Sequence, residues 1–250
     1  MKTFAMTLMS FGLALCPALY AITDPLPDPS GETRIEAAKS AEVKGDQERR
    51  NHNYMGAIYL YLDAIRKNPQ EAMLYNKLGI AQVQLGDRRQ GRKYFAMALK
   101  HDPRNVVAFN NLGAVACLDH KYRAAVRYLK QALELDESDA TAHLNMAEAW
   151  MGLQQEQRAI TEYSRALELD ADILNSGTDG VIAQVHTPEQ RAIISFLIAR
   201  AYAKRGNIDG ALEYLRRARD DRYPGLSQVY SEPEFAAVVN DPRLEKIVKR

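Results

Sequence analysis

The chain has 250 residues, and its 33 Lys and Arg nearly balance its 32 Asp and Glu, giving a formal net charge of +1 at pH 7. A chain so close to neutral has no overall field that would attract nucleic acid or an anionic membrane. We therefore expect no nucleic-acid partner, and a length that fills one domain or two.

Residues 1–21 have the layout of a secretory signal peptide. Lys2 precedes an apolar run from Phe4 to Leu15, and small residues follow. The run is short for a membrane span and is interrupted by Gly12 and Pro17. This leader predicts export, so the protein is expected in the periplasm or outside the cell.

Two cleavage sites are open, after Ala18 and after Ala21. A retained leader and a lipid-modified Cys16 are the alternatives, although Leu15 stands where lipoprotein signals have a small residue. Contact with a membrane is expected only if the leader is retained or lipidated. Beyond the leader Cys117 is the single cysteine, so no intrachain disulfide can form.

Residues 22–33 contain three prolines and no apolar period. Such a segment is typical of a flexible linker. The folded part is therefore expected at 34–250.

The folded part repeats with a period of 34 residues. The windows are 38–71, 72–105, 106–139 and 140–173, then an insertion at 174–191 and a last window at 192–225. Position 8 is always small: Gly45, Gly79, Gly113, Ala147 and Ala199. Position 24 is always large: Tyr61, Phe95, Leu129, Tyr163 and Leu215. Position 27 is always alanine: Ala64, Ala98, Ala132, Ala166 and Ala218.

This period with these residues resembles the tetratricopeptide repeat (TPR) family. The resemblance implies an all-α protein, an α-solenoid in which about five antiparallel helix pairs stack into a superhelix. Each pair has a helix A at the start of the window and a helix B at its end. A plain helical bundle would show helical periodicity without the 34-residue repeat.

The C-terminal part departs from the simple repeat. Thr187, followed by a proline and Gln190, predicts a capped start for a longer helix A. Within the predicted cap at 226–250, the proline-led segments 232–235 and 241–244 predict two short closing helices. This end resembles the terminal module of some exported bacterial TPR proteins.

The chain shows no pattern that indicates catalysis. Its five histidines never lie three to five residues apart, and it has no glycine-rich phosphate loop and no nucleophile turn. Cys117, on a helix A with no base placed beside it, is expected in the core. We therefore expect no enzyme activity, no metal and no cofactor.

In TPR proteins the first helices line a concave groove, and the resemblance implies that the same positions bind a partner here. These positions hold Met73, Asn76, Ile80, Val83, Val107, Asn110, Asn111, Ala114, Thr141, Leu144, Asn145, Glu148 and Met151. An asparagine amide carries a donor and an acceptor, so Asn111 and Asn145 could pair with an extended partner backbone. The alternative is that these amides support helix packing.

The sequence predicts a non-catalytic scaffold of the bacterial cell envelope that binds an extended peptide or a helix of another protein. The alternative is an envelope-assembly factor of the pilus or outer-membrane type, lipid-anchored at Cys16. A chaperone-type acidic tail is not expected as the partner, because Glu42 and Asp46 stand where the family's carboxylate clamp has Lys and Asn.

Overall fold

The computed structural model describes residues 31–170, 172–173 and 187–248. The predicted leader, Cys16, most of the predicted linker and residues 174–186 of the insertion lie outside the described residues. Helix α1 begins at Gly31, so the last three residues of the predicted linker are helical. Pro29 is the last proline before α1, and nothing after it restricts the backbone to extended conformations.

The described residues form twelve α-helices and no strands, which confirms the all-α prediction. The first ten make five consecutive pairs: α1 (Gly31–Arg50) with α2 (Tyr54–Lys67), α3 (Ala72–Gln84) with α4 (Arg88–His101), α5 (Val106–Leu118) with α6 (Tyr122–Leu135), α7 (Ala140–Gly152) with α8 (Glu156–Leu169), and α9 (Pro188–Lys204) with α10 (Ile208–Asp220). Within the described residues, no helix combines the length and apolarity that a membrane span requires.

Polar side chains fix where the helices begin. Asn105 accepts a hydrogen bond from the backbone N–H of Ala108, and Asp139 caps α7 in the same way. Thr187 and Gln190 form the predicted capping box. With 17 residues, α9 is longer than α3, α5 and α7, which have 13 each, but it is shorter than α1, which has 20.

Each pair is held together where its two helices approach most closely. The large residue at position 24 of every window is at most 1% exposed. It packs against the small residue at position 8, and the approach is so close that a methyl group built on Gly79 would lie 2.4 Å from Cε1 of Phe95. Positions 8 and 24 of the 34-residue pattern therefore form the packing seam between the two helices of each pair.

Successive first helices contact one another, α3 with α5 and α5 with α7. This arrangement places the first helices on the inner wall of the array and the second helices on its outer wall, as in an α-solenoid. The two walls carry different side chains.

The C-terminal end closes the array. A 3₁₀ turn at Leu226–Tyr230 is followed by a second at Pro233–Phe235 that leads into α11 (Ala236–Val239), and α12 (Pro242–Val248) comes last. The two predicted closing helices are thus present. Phe235 is fully buried, and its ring centroid lies 5.4 Å from that of Phe196 in α9.

Candidate binding trough

A trough of about 390 Å³ lies on the inner wall. It is formed by four consecutive first helices, α1, α3, α5 and the start of α7. The lining residues are Asp46, Arg49, Arg50, Met73, Lys77, Ile80, Val107, Asn110, Asp139 and Thr141. Five of them belong to the sequence-predicted groove.

Helical spacing brings these side chains to one face. Met73, Lys77 and Ile80 follow one another at four and three residues on α3. Val107 lies 34 residues after Met73, and Thr141 lies 34 residues after Val107. Met73, Val107 and Thr141 therefore occupy the same position of the window on three successive first helices.

The floor of the trough is mainly apolar. Met73 is 37% exposed, Val107 is half-buried, and Ile80 contributes a nearly buried surface between them. A methionine adapts its shape to different side chains because it is unbranched and polarizable. The floor can therefore shelter apolar groups of a bound segment.

Charged groups border the trough at its α1 end. The Lys77 ammonium lies 2.6 Å from a carboxylate oxygen of Glu42 and 2.6 Å from one of Asp46. Burial raises the pKa of Glu42, but hydrogen bonds from Lys39 and Lys77 outweigh burial and hold that pKa below its usual value. Because the charge of Lys77 is already balanced by these two carboxylates, Lys77 is poorly suited to bind an acidic group of a partner.

The predicted asparagine row lies beneath the surface of the trough. Asn145 donates a hydrogen bond of 2.9 Å to Asn110 in the preceding repeat, and Asn76 donates one of 2.7 Å to Asn105. Asn76, Asn111 and Asn145 are fully buried. The Asn145 amide joins neighbouring repeats, and the Asn76 amide binds the residue that caps α5, which supports the packing alternative over pairing with a partner backbone.

Four other predicted groove residues are also buried: Ala114, Leu144, Glu148 and Met151. Leu144 and Met151 belong to an apolar cluster that includes side chains of α9. Glu148 accepts a 2.5 Å hydrogen bond from the hydroxyl of Tyr163. Val83 is partly buried and packs against the cluster that contains Ile80, outside the lining of the trough.

Sequence reasoning missed five of the lining residues: Asp46, Arg49, Arg50, Lys77 and Asp139. Lys77 occupies position 6 of its window, the position of the predicted groove residues Asn111 and Asn145. The repeat could therefore have been used to predict Lys77 as a groove residue. Asp139 precedes its helix and is the cap of α7. Its place in the trough depends on how two repeats meet, which the period does not reveal.

Cys117 faces the core, as the sequence predicts. It is 4% exposed, and its thiol donates a 3.8 Å hydrogen bond to the backbone oxygen of Asn145. Burial, with a smaller effect from the charge of Glu148, raises the pKa of the thiol to about 12. The thiolate form that nucleophilic chemistry needs is therefore scarce at neutral pH.

Tetratricopeptide repeat family models match two stretches of the chain, residues 118–174 and 181–227. A comparison with curated protein sequences finds no match.

Three similar solved structures show the same fold. The thermophilic TPR protein TTC0263 of Thermus thermophilus is 20% identical, with 78% of this chain and 97% of that chain covered and a TM-score of 0.54. The Pseudomonas aeruginosa pilF structure is 16% identical, with 87% and 94% covered and a TM-score of 0.57. MamA 41-end from Desulfovibrio magneticus RS-1 is 18% identical, with 75% and 96% covered and a TM-score of 0.51. At these identities the likeness extends to the architecture alone.

Proposed function

Because this chain is a tetratricopeptide repeat protein, we propose that it is a non-catalytic scaffold that holds an extended segment or a helix of a partner protein in the concave trough. The observation that carries the proposal is the trough itself, with an apolar floor on α3 and α5 and charged groups at its α1 end. Such a surface can hold foreign side chains and backbone.

The size of the trough limits what it can hold. Neighbouring packed helices lie about 8–10 Å apart, so four of them span roughly 30 Å. An extended chain advances about 3.3 Å per residue, so the trough accommodates about nine extended residues. An amphipathic helix of the same length would have about 20 residues.

The lining favours a partner segment with mixed character. Met73, Ile80 and Val107 favour apolar side chains at its centre. Arg49 and Arg50 favour an acidic side chain at the α1 end, while Asp139 gives the α7 end the opposite sign. This polarity would give the bound segment one preferred direction.

Photocrosslinking tests the trough directly. A photoreactive residue at Met73 or at Val107 is expected to label the same segment of one partner, identified by mass spectrometry. A probe at Tyr230, which is 50% exposed in the C-terminal cap, is the matched control and should not label it. Met73→Glu is expected to abolish labelling from Val107 with little change in stability, because Met73 is exposed. Labelling that survives Met73→Glu unchanged would place the partner elsewhere.

We place this scaffold in the cell envelope, on the support of the sequence of residues 1–21. The intact mass of the chain recovered from cells tests the location. A chain beginning at Leu19 or Ile22 indicates a cleaved leader and export, and a lipid adduct on Cys16 would favour the envelope-assembly alternative. An unprocessed chain in the cytoplasm would contradict both.

A further inference from the structure

The outer wall carries a pattern that the concave function does not use. We define the outer stripe as four outward positions of each second helix, spaced four, three and four residues apart and all exposed except the half-buried Ser164. In α2 they are Met55, Tyr59, Leu62 and Arg66; in α4 Arg89, Lys93, Ala96 and Lys100; in α6 Arg123, Arg127, Lys130 and Glu134; and in α8 Gln157, Thr161, Ser164 and Glu168. The same register thus changes from apolar to basic to mostly uncharged along the array.

Few acidic residues offset the positive charge of the basic part of the outer stripe. Helix α4 contains no acidic residue, and Glu134 is the one acidic residue of α6. Within the described part of the chain, no ion pair involves Arg89, Lys93, Lys100, Arg123 or Arg127. In α8 and α10, by contrast, basic side chains pair with acidic ones on the same helix, as Arg217 does with Glu213. The outward faces of α4 and α6 therefore carry a net positive charge.

The apolar part of the outer stripe is unusually exposed. Met55 is 63% exposed, Tyr59 68% and Leu62 39%. They lie on successive turns of α2 and form one apolar ridge. Ile65 of α2 and Tyr94 of α4 pack against the same apolar cluster, so α2, which carries the ridge, lies near the basic helix α4.

We propose that the outer stripe of α2, α4 and α6 docks on an anionic lipid bilayer. Apolar and aromatic side chains beside Lys and Arg are the combination that enters a bilayer interface, where the apolar groups reach below the headgroups and the basic groups bind lipid phosphates. The apolar ridge belongs to the first repeat, the end nearest the predicted leader, so a leader kept in the membrane would bring this ridge to the surface first. Docking by the outer wall leaves the inner trough open.

An acidic protein could also match the basic helices. The apolar ridge favours the bilayer, because it continues the same stripe and a purely acidic partner would leave it exposed. The overall charge of the chain conceals this surface, since acidic residues elsewhere cancel it in the sum.

Vesicle binding of the full chain tests the proposal. Zwitterionic phosphatidylcholine vesicles are compared with vesicles in which a third of the lipid is phosphatidylglycerol. We expect tighter binding to the anionic vesicles, weakened by added salt. A basic side chain near such a surface contributes about a factor of five in affinity. Arg89→Gln, Lys93→Gln, Arg123→Gln and Arg127→Gln together should therefore lower affinity for anionic vesicles by roughly a hundredfold or more.

Two controls make the test specific. The combination of Arg165→Gln, Arg191→Gln, Arg216→Gln and Arg217→Gln removes the same charge from the C-terminal repeats and should leave binding within about threefold. Tyr59→Ser with Leu62→Ser should weaken binding while keeping its salt dependence. Residues 1–21 are common to all variants, so their contribution cancels in each comparison, and circular dichroism verifies folding.

Three outcomes would overturn the proposal. One is equal binding of the wild-type chain to both kinds of vesicle, and another is unchanged binding after loss of the four stripe charges. The third is binding of poly-L-glutamate, but not of vesicles, through the same four charges, which would assign the surface to an acidic protein. None of these results bears on crosslinking in the concave trough, so the two proposals fail or stand separately.

Discussion

The first three repeats and the last two use different chemistry at the same seam. In the first three, glycine at position 8 lets a ring or a leucine lie directly on the backbone of the first helix. In the last two, Ala147 and Ala199 occupy that position and are fully buried. Since glycine costs a helix interior about 1 kcal/mol relative to alanine, the N-terminal repeats trade helix stability for a closer approach.

The two regions also differ in how their cores connect. The apolar clusters of the N-terminal repeats are small and confined to neighbouring helices. The C-terminal repeats and closing helices share one large cluster that runs from α7 to α12. In a repeat array stability is a sum of local terms. We therefore infer that the N-terminal repeats, which carry most of the trough and the apolar and basic parts of the outer stripe, open more easily than the C-terminal end.

The largest expected effect on stability comes from a substitution in the connected C-terminal core. Phe235→Ala removes a fully buried ring that contacts Phe196, and it should lower the free energy of unfolding by about 3–5 kcal/mol. Hydrogen exchange should accelerate most in α9 and α10 and least in α3 and α4. Tyr230→Ala, at an exposed position of the same cap, should change stability by less than about 0.5 kcal/mol. Uniform acceleration along the chain would contradict a separate C-terminal unit.

The next effect tests the seam. A methyl group at Gly113 would lie 2.4 Å from Cγ of Leu129, so Gly113→Ala should destabilise the protein by about 1–3 kcal/mol despite the better helix propensity of alanine. Urea unfolding measures the change.

The same substitution can be repeated in a Leu129→Ala variant, which lacks the side chain that obstructs a methyl group at Gly113. In that variant Gly113→Ala should become stabilising by up to about 1 kcal/mol. Ala147→Gly is the counterpart in the C-terminal region and should cost about 1 kcal/mol without any clash. If Gly113→Ala is destabilising on both backgrounds, the close approach is not its cause.

The repeat register explains why so much of the fold could be predicted. Positions 8 and 24 are packing positions, and a period that places Gly79 opposite Phe95 identifies both helices and their seam. The trough was predicted less well, because the period indicates which side a residue faces and not what covers it. Leu144 and Met151 occupy groove positions, yet they pack into the cluster shared with α9. That contact depends on how the last repeat docks after the insertion.

A summed charge does not describe how charge is distributed over the surface. The expectation that an anionic membrane is not a partner rests on a net charge of +1. Helix α4 alone has five Lys and Arg and no acidic residue. Only the fold shows that these side chains share one wall with those of α6.

A smaller effect is expected when the buried tyrosine at position 24 loses its hydroxyl group, and the two regions can be compared at this position. Tyr163 donates a hydrogen bond to the buried Glu148, and Tyr61 donates one of 2.8 Å to Asp46, which also binds Lys77. Tyr163→Phe should cost about 1–3 kcal/mol, because a buried carboxylate loses a donor. Tyr61→Phe should cost about 0.5–1.5 kcal/mol, measured by urea unfolding. Equal costs would show that burial of the acceptor does not distinguish the regions.

The smallest predicted effect on stability comes from replacing His143, where the two regions meet. His143 lies in the first turn of α7, and its Nδ1 lies 2.6 Å from Glu162 of α8 while its Nε2 lies 3.0 Å from the backbone oxygen of Glu137 in the preceding repeat. Burial lowers the pKa of His143, but the hydrogen bond and charge of Glu162, with the Glu137 oxygen, outweigh burial and raise that pKa above its usual value of 6.5.

A raised folded-state pKa means that the charged imidazole stabilises the fold. The stabilisation is complete below the unfolded-state pKa and disappears as the pH rises through the folded-state pKa. His143→Gln should therefore lower the urea midpoint more at about pH 6 than at about pH 9. Equal shifts at both pH values for His143→Gln would mean that neutral hydrogen bonding, and not charge, joins the two regions at this point.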